Sequence, residues 1–238
     1  MSLTKQIPAW ATLGNAAAGF AACALVVAGR PELAALMVLV AVLLDSLDGA
    51  LARSLDAVSE FGGQLDSLAD VISFGVAPAV LAGSLLPPGG GPLAWGLVAL
   101  YPLCATWRLA RYNVFHATHA DDESEFSGLP STGAGAGAVT AIVLDLRLLE
   151  GHALLGASFL PTLMALLGLL MVSRVPYKHA GAIISRLRPA VAILFGAAFV
   201  AGTLLWHYEI LFFALMWSYV LYAPLLAAGQ KILALRQA

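Results

Sequence analysis

Charged side chains are scarce in this sequence. Asp, Glu, Lys and Arg make up 11% of its 238 residues, whereas about a quarter is usual for a soluble domain. Hydrophobic residues make up 61% of the chain, so too few charges remain to cover a water-facing surface. This scarcity excludes an ordinary soluble globular protein and indicates one that lies in a lipid bilayer.

Basic runs and cysteine clusters are also missing. The net charge is −2 and no basic stripe is present, which argues against a nucleic-acid partner. The two cysteines, Cys23 and Cys104, lie in apolar stretches, so we interpret them as small buried side chains rather than a disulfide or metal pair. No soluble domain, repeat or low-complexity linker is evident, and we expect one integral membrane domain over residues 1–238.

Long apolar segments predict the fold. A membrane-spanning helix needs about 20 mostly apolar residues. Eight segments meet this criterion, with turn or charge signals between them: 11–29, 33–53, 67–87, 92–110, 130–149, 152–172, 189–206 and 208–229. The sequence therefore predicts an all-α, polytopic transmembrane helical bundle of about eight spans. Merging or discarding two weak segments would leave six.

The distribution of Lys and Arg predicts the orientation, because positively charged loops stay in the cytoplasm. With eight spans and both termini inside, ten of the 12 basic residues lie on the cytoplasmic side and only Arg30 and Arg147 lie outside. We therefore expect a multi-pass protein of the plasma (inner) membrane. The loop after the second span is expected to face the cytoplasm.

Acidic residues concentrate between positions 45 and 70, which hold six of the 14 in the chain. Asp45 and Asp48 lie three residues apart near the end of the second predicted span, and Asp66 and Asp70 lie four apart at the start of the third. Each pair shares one helix face. Because a short loop makes the two spans antiparallel neighbours, the four carboxylates are predicted to converge at one membrane depth.

Such a group needs a counter-charge, because an ionised carboxylate in a spanning helix costs several kcal/mol unless it meets a cation or water. Mg²⁺ and Mn²⁺ prefer oxygen ligands and would supply that charge. Two divalent cations about 3.5–4 Å apart can stabilise the entering and leaving oxygens of a phosphoryl displacement. The alternative interpretations are a buried ion-pair cluster and an ion pathway through the membrane.

Small and basic residues between the two acidic pairs suit a phosphate-containing substrate. Gly49 and Ala52 leave a groove on the second helix where a flat base could approach the backbone. Arg53 follows at the membrane boundary, where its guanidinium could pair with a diphosphate. Taken alone, Arg53 would equally fit a positively charged anchor on the cytoplasmic side.

Together these residues form the pattern Asp45-x2-Asp48-Gly49-x2-Ala52-Arg53-x8-Gly62-x3-Asp66-x3-Asp70, which resembles without a gap the signature of the CDP-alcohol phosphotransferase family. The resemblance implies a helical membrane enzyme, usually a homodimer, with a cytoplasmic site. It implies two bound divalent metals, with Asp45, Asp48, Asp66 and Asp70 as their ligands. It also implies that Asp70 is the general base for the acceptor hydroxyl, and that the CDP site is lined by Gly49, Ala52, Arg53, Ser59 and Gly62.

Segments that flank this signature narrow the choice of acceptor alcohol. Residues 66–79, 108–114, 126–130 and 171–177 closely resemble the corresponding stretches of phosphatidylserine synthases. This resemblance implies transfer of the phosphatidyl group from CDP-diacylglycerol to L-serine, with release of CMP. Direct displacement is expected because no histidine or cysteine nucleophile accompanies the acidic cluster. The alternatives are the same chemistry with glycerol 3-phosphate or an inositol phosphate as acceptor, and an ion- or proton-coupled transporter.

Further candidate binding residues flank this signature. Where the subfamily often begins Ile-Pro-Asn-x2-Thr-x2-Asn, this chain has alanine in place of the first asparagine but keeps Thr12 and Asn15. Arg108 and Arg111 share one helix face. They either orient the protein and contact lipid headgroups, or one of them, with Asn113, binds the serine carboxylate or the lipid phosphate. The glycine-rich run 131–137 is interpreted as a close helix-packing face.

Overall fold

The computed structural model describes residues 7–118 apart from 56, 58, 88 and 89, together with 126–148, 159–177 and 208–237. The described helices are α1 (Ile7–Val27), α2 (Pro31–Ser54), α3 (Glu60–Asp70), α4 (Ala77–Ser84), α5 (Pro92–Thr118), α6 (Ser131–Leu148), α7 (Phe159–Val172) and α8 (Tyr208–Gln237). A π-helical segment, Val71–Val76, joins α3 to α4. Two-residue strands, β1 (Phe126–Ser127) and β2 (Pro176–Tyr177), pair antiparallel. The all-α class is confirmed.

Five helical stretches in the described residues are long and apolar enough to cross a membrane: Ile7–Val27, Pro31–Ser54, Glu60–Ser84, Pro92–Phe115 and Glu209–Gln230. Helix α6 covers the predicted span 130–149, and α7 is a shorter apolar helix within the predicted span 152–172. The predicted span 189–206 lies outside the described residues. A multi-pass helical bundle is therefore confirmed, and the count of eight spans stays a prediction.

The third helix begins earlier than the apolar pattern predicts. Its apolar run starts near residue 67, whereas the helix begins at Glu60. Ser59 is extended, and its hydroxyl accepts a hydrogen bond from the Gly62 N–H at 3.1 Å, which is the geometry of a helix N-cap. The cap starts the helix in a polar stretch, and these extra turns, about two of them, place Asp66 in a helical position.

The π-helical segment follows Asp70 and has an identifiable cause. Pro78 lacks the N–H that an α-helix would direct at the Phe74 carbonyl. The hydroxyl of Tyr101, from α5, donates to this carbonyl at 2.8 Å, and the N–H of Ala77 bonds to the Ile72 carbonyl with the longer π-helical spacing. Single π-helical turns of this kind are frequent at functional sites.

Glycines let the neighbouring helices approach this segment closely. A methyl group on Gly19 of α1 would lie 2.7 Å from the Ser73 Cα, and one on Gly135 of α6 would lie 3.2 Å from the Phe74 Cβ. The side chain of Ser73 also donates to the Asn15 carbonyl at 2.8 Å. Helices α1 and α6 are therefore held against the helix that carries Asp70.

One end of the bundle is closed by contacts between α5, the β1–β2 pair and α7. Gly128 has a φ of 94°, and a Cβ there would overlap the Met171 backbone, so glycine is required at this turn. The Gly128 N–H donates to the Val175 carbonyl at 2.9 Å. Burial raises the pKa of Tyr177 to about 12, so its hydroxyl stays protonated and donates to the Val220 carbonyl at 2.9 Å. These contacts place the start of α6 beside the ends of α5 and α7.

Candidate active site

Three aspartates from two helices meet at one point. Asp45 and Asp48 on α2 and Asp66 on α3 each contribute a carboxylate oxygen, and these oxygens all lie within 4.8 Å of one another. Asp48 is buried, and Asp45 and Asp66 are partly buried. The convergence expected from the spacing is therefore present in the structure. The function of these residues as metal ligands stays a prediction.

Asp70 lies beside this group and is 6% exposed. Asn15 of α1 donates to its Oδ1 at 3.3 Å, and the Ser131 hydroxyl of α6 donates to its Oδ2 at 3.1 Å. Asp45 neighbours both Asp66 and Asp70, and it accepts a hydrogen bond from the Thr132 hydroxyl at 3.2 Å. Both Asp70 oxygens are thus oriented by side chains from other helices.

The donor set fits hard divalent cations. All three grouped residues offer carboxylate oxygens, the ligand type that Mg²⁺ and Mn²⁺ prefer. Among the described residues, the buried oxygens Asp48 Oδ2 and Asp66 Oδ1 accept no hydrogen bond, and no Lys or Arg forms an ion pair with either carboxylate. Burying unpaired carboxylates in this way is costly without a cation. The cluster is therefore suited to divalent metal ions.

The candidate CDP-binding residues lie where α2 ends and α3 begins, next to Asp48 and Asp66. The exposed Arg53 side chain folds back over Gly49, with its Nη1 3.4 Å from the point where a Gly49 Cβ would stand. Ala52 is partly buried on the same turn. Ser59 and Gly62 form the helix cap described above, so the contact between them serves to start α3.

Thr12 and Asn15, from α1, face the aspartates. The Thr12 hydroxyl donates to the Pro8 carbonyl at 3.1 Å and neighbours Asp48. Asn15 is fully buried, and its amide donates to Asp70. Its Oδ1 accepts no hydrogen bond from the described residues. Both residues therefore lie at the edge of the carboxylate group.

Arg108 and Arg111 have different surroundings although they share a helix face. Arg108 is 6% exposed, and its Nη1 donates to the Ser131 hydroxyl at 3.3 Å. The Ser131 hydroxyl in turn donates to Asp70. Arg111 donates to two backbone carbonyls, Val172 at 3.1 Å and Ser127 at 2.8 Å. Arg108 therefore lies against the site rather than at the lipid surface, and Arg111 joins α5 to the closed end of the bundle.

Asn113 lies two residues after Arg111 on α5, at the exposed edge of the site. Its Oδ1 accepts a hydrogen bond from the Ser67 hydroxyl at 2.9 Å, and its Nδ2 donates to Gln64 at 3.2 Å. Ser67 directly follows the clustered Asp66. Asn113 is thus connected to α3 beside the carboxylates, and it does not contact Arg108 or Arg111 in the contacts described.

Ser131 and Thr132 are site residues that sequence reasoning missed. The run 131–137 is predicted to be a packing face, and its glycines do pack closely: Gly133 against Tyr219, Gly135 against Phe74 and Gly137 against Val220. The two hydroxyl residues that open the run instead bond Asp70 and Asp45. The available signal was their position, since they begin an apolar helix at the end of the bundle that carries the acids.

Comparison with known proteins gives a consistent result. The family model described as CDP-alcohol phosphatidyltransferase matches residues 5–172, which include all four aspartates. A CDP-diacylglycerol–serine O-phosphatidyltransferase of Mycobacterium tuberculosis is 31% identical over 96% of this chain and 80% of its own length. The protein of the same name from Mycobacterium leprae is 33% identical over 96% and 76%. An archaetidylserine synthase of Methanothermobacter thermautotrophicus is 34% identical over 73% and 70%.

Proposed function

This chain belongs to the CDP-alcohol phosphatidyltransferase family, and from that membership we propose that it transfers the phosphatidyl group of CDP-diacylglycerol to the hydroxyl of L-serine, forming phosphatidylserine and CMP. The observation that carries the proposal is the group of converging carboxylates in the matched region. Relatives that align over nearly the whole chain are named as serine O-phosphatidyltransferases, which supports serine as the acceptor.

Asp45, Asp48, Asp66 and Asp70 are the proposed ligands of two divalent cations, Mg²⁺ or Mn²⁺. When bound, such cations would neutralise the diphosphate of the lipid substrate and the charge that develops on CMP. The buried oxygens Asp48 Oδ2 and Asp66 Oδ1, which no donor in the described part of the chain reaches, support this assignment. Asp45 and Asp48 belong to α2, and Asp66 and Asp70 belong to α3.

The CDP moiety is proposed to lie along the end of α2 and the start of α3. Gly49 and Ala52 carry no bulky side chains, and the cytosine base is proposed to approach them when the exposed Arg53 side chain, which lies over Gly49, turns to pair with the diphosphate. Ser59 and Gly62 shape this edge through the helix cap. Thr12 and Asn15 complete the site from α1.

Asp70 is the proposed general base. It accepts the proton of the serine hydroxyl as the hydroxyl oxygen bonds to the lipid-side phosphorus and the bond from that phosphorus to the CMP oxygen breaks. Because Asn15 and Ser131 hold its two oxygens, the carboxylate is oriented before the acceptor arrives. A single in-line displacement inverts the configuration at the transferred phosphorus.

Arg108 is the proposed partner of the serine carboxylate. It is buried next to the Ser131–Asp70 pair, so an acceptor whose hydroxyl reaches Asp70 would bring its carboxylate within reach of this guanidinium. Arg111 instead donates to the Val172 and Ser127 carbonyls at the closed end of the bundle. Asn113 lies at the exposed edge, where it is proposed to contact the lipid phosphate or the entering acceptor.

The protein is further proposed to be a homodimer in the plasma (inner) membrane with its site facing the cytoplasm. The dimer follows from the family resemblance alone. The orientation follows from the basic residues, ten of 12 of which fall on one side in an eight-span arrangement. In that arrangement the ends of α2, α5 and α7 and the starts of α3 and α6 all lie on the cytoplasmic side.

CMP release from purified protein tests the proposed function. The protein is incubated with CDP-diacylglycerol, Mg²⁺ or Mn²⁺, and one acceptor at a time: L-serine, glycerol 3-phosphate, an inositol phosphate or none. We expect CMP and phosphatidylserine with L-serine only, and none from Asp70→Asn. Turnover with a phosphorylated acceptor would assign a different substrate, and no CMP under any condition would favour the transporter alternative.

A further inference from the structure

Two neighbouring hydroxyls at the start of α6 contact two different aspartates of the site. Ser131 donates to Asp70 at 3.1 Å, and Thr132 donates to Asp45 at 3.2 Å. We propose that Ser131 and Thr132 are positioning residues with separate tasks, Ser131 orienting the base and Thr132 orienting a metal ligand. This inference rests on the proposed function, which gives Asp70 and Asp45 those tasks.

The direction of the Ser131 hydrogen bond follows from its neighbours. A guanidinium can only donate, so the Ser131 oxygen accepts from Arg108 and its single proton is directed to Asp70 Oδ2. Asn15, on α1, donates to the other Asp70 oxygen, Oδ1. Two donors on two helices thus fix the plane of the carboxylate. Removing the Ser131 hydroxyl leaves only one of them.

Thr132 acts on a different carboxylate because successive residues on a helix project about 100° apart. Its hydroxyl contacts Asp45, which neighbours both Asp66 and Asp70. One Asp45 oxygen is occupied by this bond, so rotation of the carboxylate is restricted. Outer hydrogen-bond partners that orient metal ligands in this way typically contribute about 10–100-fold in metal affinity or activity.

These hydroxyls are not used for the local purpose that their position would suggest. Serine and threonine at a helix start usually bond the backbone of their own first turn. In the described contacts neither hydroxyl does so, whereas Thr140 on the same helix donates to the Ala136 carbonyl at 2.7 Å. Gly135 allows α6 to approach the π-helical segment, and this approach brings the two hydroxyls to the aspartates.

The test compares Ser131→Ala and Thr132→Ala with the conservative variants Ser131→Thr and Thr132→Ser. Thr140→Ala is the control, because it removes a buried hydroxyl from α6 about two turns away from the aspartates' partners. Two properties are measured on each purified protein. The first is kcat and KM for serine at saturating Mn²⁺. The second is direct Mn²⁺ binding without substrate, from the electron paramagnetic resonance signal of free Mn²⁺.

We expect Ser131→Ala to lower kcat about 10–100-fold even at saturating Mn²⁺, because Asp70 loses its orientation as the base and added metal does not restore it. Thr132→Ala is expected to weaken Mn²⁺ binding about tenfold or more and to regain most of its kcat at saturating Mn²⁺. Ser131→Thr and Thr132→Ser should recover most of each loss, and Thr140→Ala should match the wild type in both measurements.

Two results would overturn the inference: alanine variants with wild-type values, or a kcat that stays equally low in both variants at saturating Mn²⁺. A uniform loss would show that the hydroxyls serve only folding. The wild type separates this failure from that of the proposed function. If the wild type releases no CMP with serine, the proposed function is wrong. If it does and the alanine variants do not differ from it, only the positioning inference is wrong.

Discussion

Two arginines one helical turn apart show how surroundings decide the function of a side chain. Arg108 is buried and bonded to the side chain next to the proposed base, whereas Arg111 is bonded to two backbone carbonyls at the closed end of the bundle. Sequence alone treats them as equivalent, because they share a helix face and a position near the membrane boundary. Their partners come from other helices, and no local pattern reports those partners.

Replacing each arginine with alanine should therefore have different effects. Arg108→Ala is expected to raise the KM for serine about tenfold or more, since a hydrogen bond to a charged group contributes about 1.5–3 kcal/mol. Arg111→Ala is expected to lower the thermal unfolding midpoint, because the Val172 and Ser127 carbonyls lose their donor. Steady-state kinetics and thermal unfolding in detergent measure the two effects. The opposite assignment of the KM effect would contradict the proposed function of Arg108.

The residues of the site were predictable to different degrees. Asp45, Asp48, Asp66 and Asp70 could be found from the sequence, because acids are costly in spanning helices and their spacing places each pair on one face. Ser131 and Thr132 could not be assigned, because a hydroxyl at a helix start more often caps its own helix. Their contacts depend on how closely α6 approaches the aspartates.

At the scale of elements, apolar length predicted the helices but not their irregularities. The early start of α3 depends on the Ser59 cap, which lies outside the apolar run. The π-helical segment depends on Pro78 and on a hydroxyl that Tyr101 supplies from a different helix. Both features determine where Asp66 and Asp70 lie, and neither follows from hydropathy.

The close contact of α1 with the π-helical segment gives a prediction for Gly19. A methyl group there would lie 2.7 Å from the Ser73 Cα, so Gly19→Ala must push α1 away. Overpacking of this kind costs about 1–3 kcal/mol. Because Asn15 is one turn away on α1, its bond to Asp70 should also be disturbed. We expect a lower unfolding midpoint and a lower kcat.

Gly96 provides the control for this variant. It lies within α5, and a methyl group there would meet no other atom within 4 Å. Gly96→Ala is expected to be neutral or to stabilise the helix by about 0.5–1 kcal/mol, with kcat unchanged. Thermal unfolding and CMP release should be measured for both variants. If Gly19→Ala behaved like Gly96→Ala, the described packing of α1 against Ser73 would be incorrect.

At the scale of the whole molecule, the direction of the helices brings the functional residues to one end. The end of α2 and the start of α3 supply the aspartates, the end of α5 supplies Arg108, and the start of α6 supplies the two hydroxyls. If successive spans cross the bilayer in alternating directions, all of these residues lie on the same side of the membrane. The sequence predicted this arrangement because the basic residues concentrate near the same ends, whereas the number of spans depends on segments beyond the described residues.

Cysteine labelling tests the proposed orientation. In a background with Cys23→Ala and Cys104→Ala, single cysteines are placed at two exposed positions, Arg30 between α1 and α2 and Ser54 at the site end of α2. A membrane-impermeant maleimide should label Arg30→Cys in intact cells and Ser54→Cys only after permeabilisation. The reverse pattern would place the site outside the cell and contradict the cytoplasmic orientation.

The metal dependence of the purified protein tests the central claim most directly. The proposed divalent cations offset the charge of the four carboxylates, so protein stripped of metal by excess chelator should release no CMP from CDP-diacylglycerol and serine. Adding Mg²⁺ or Mn²⁺ beyond the chelator should restore the release. Full activity of the metal-free protein in excess chelator would contradict the account.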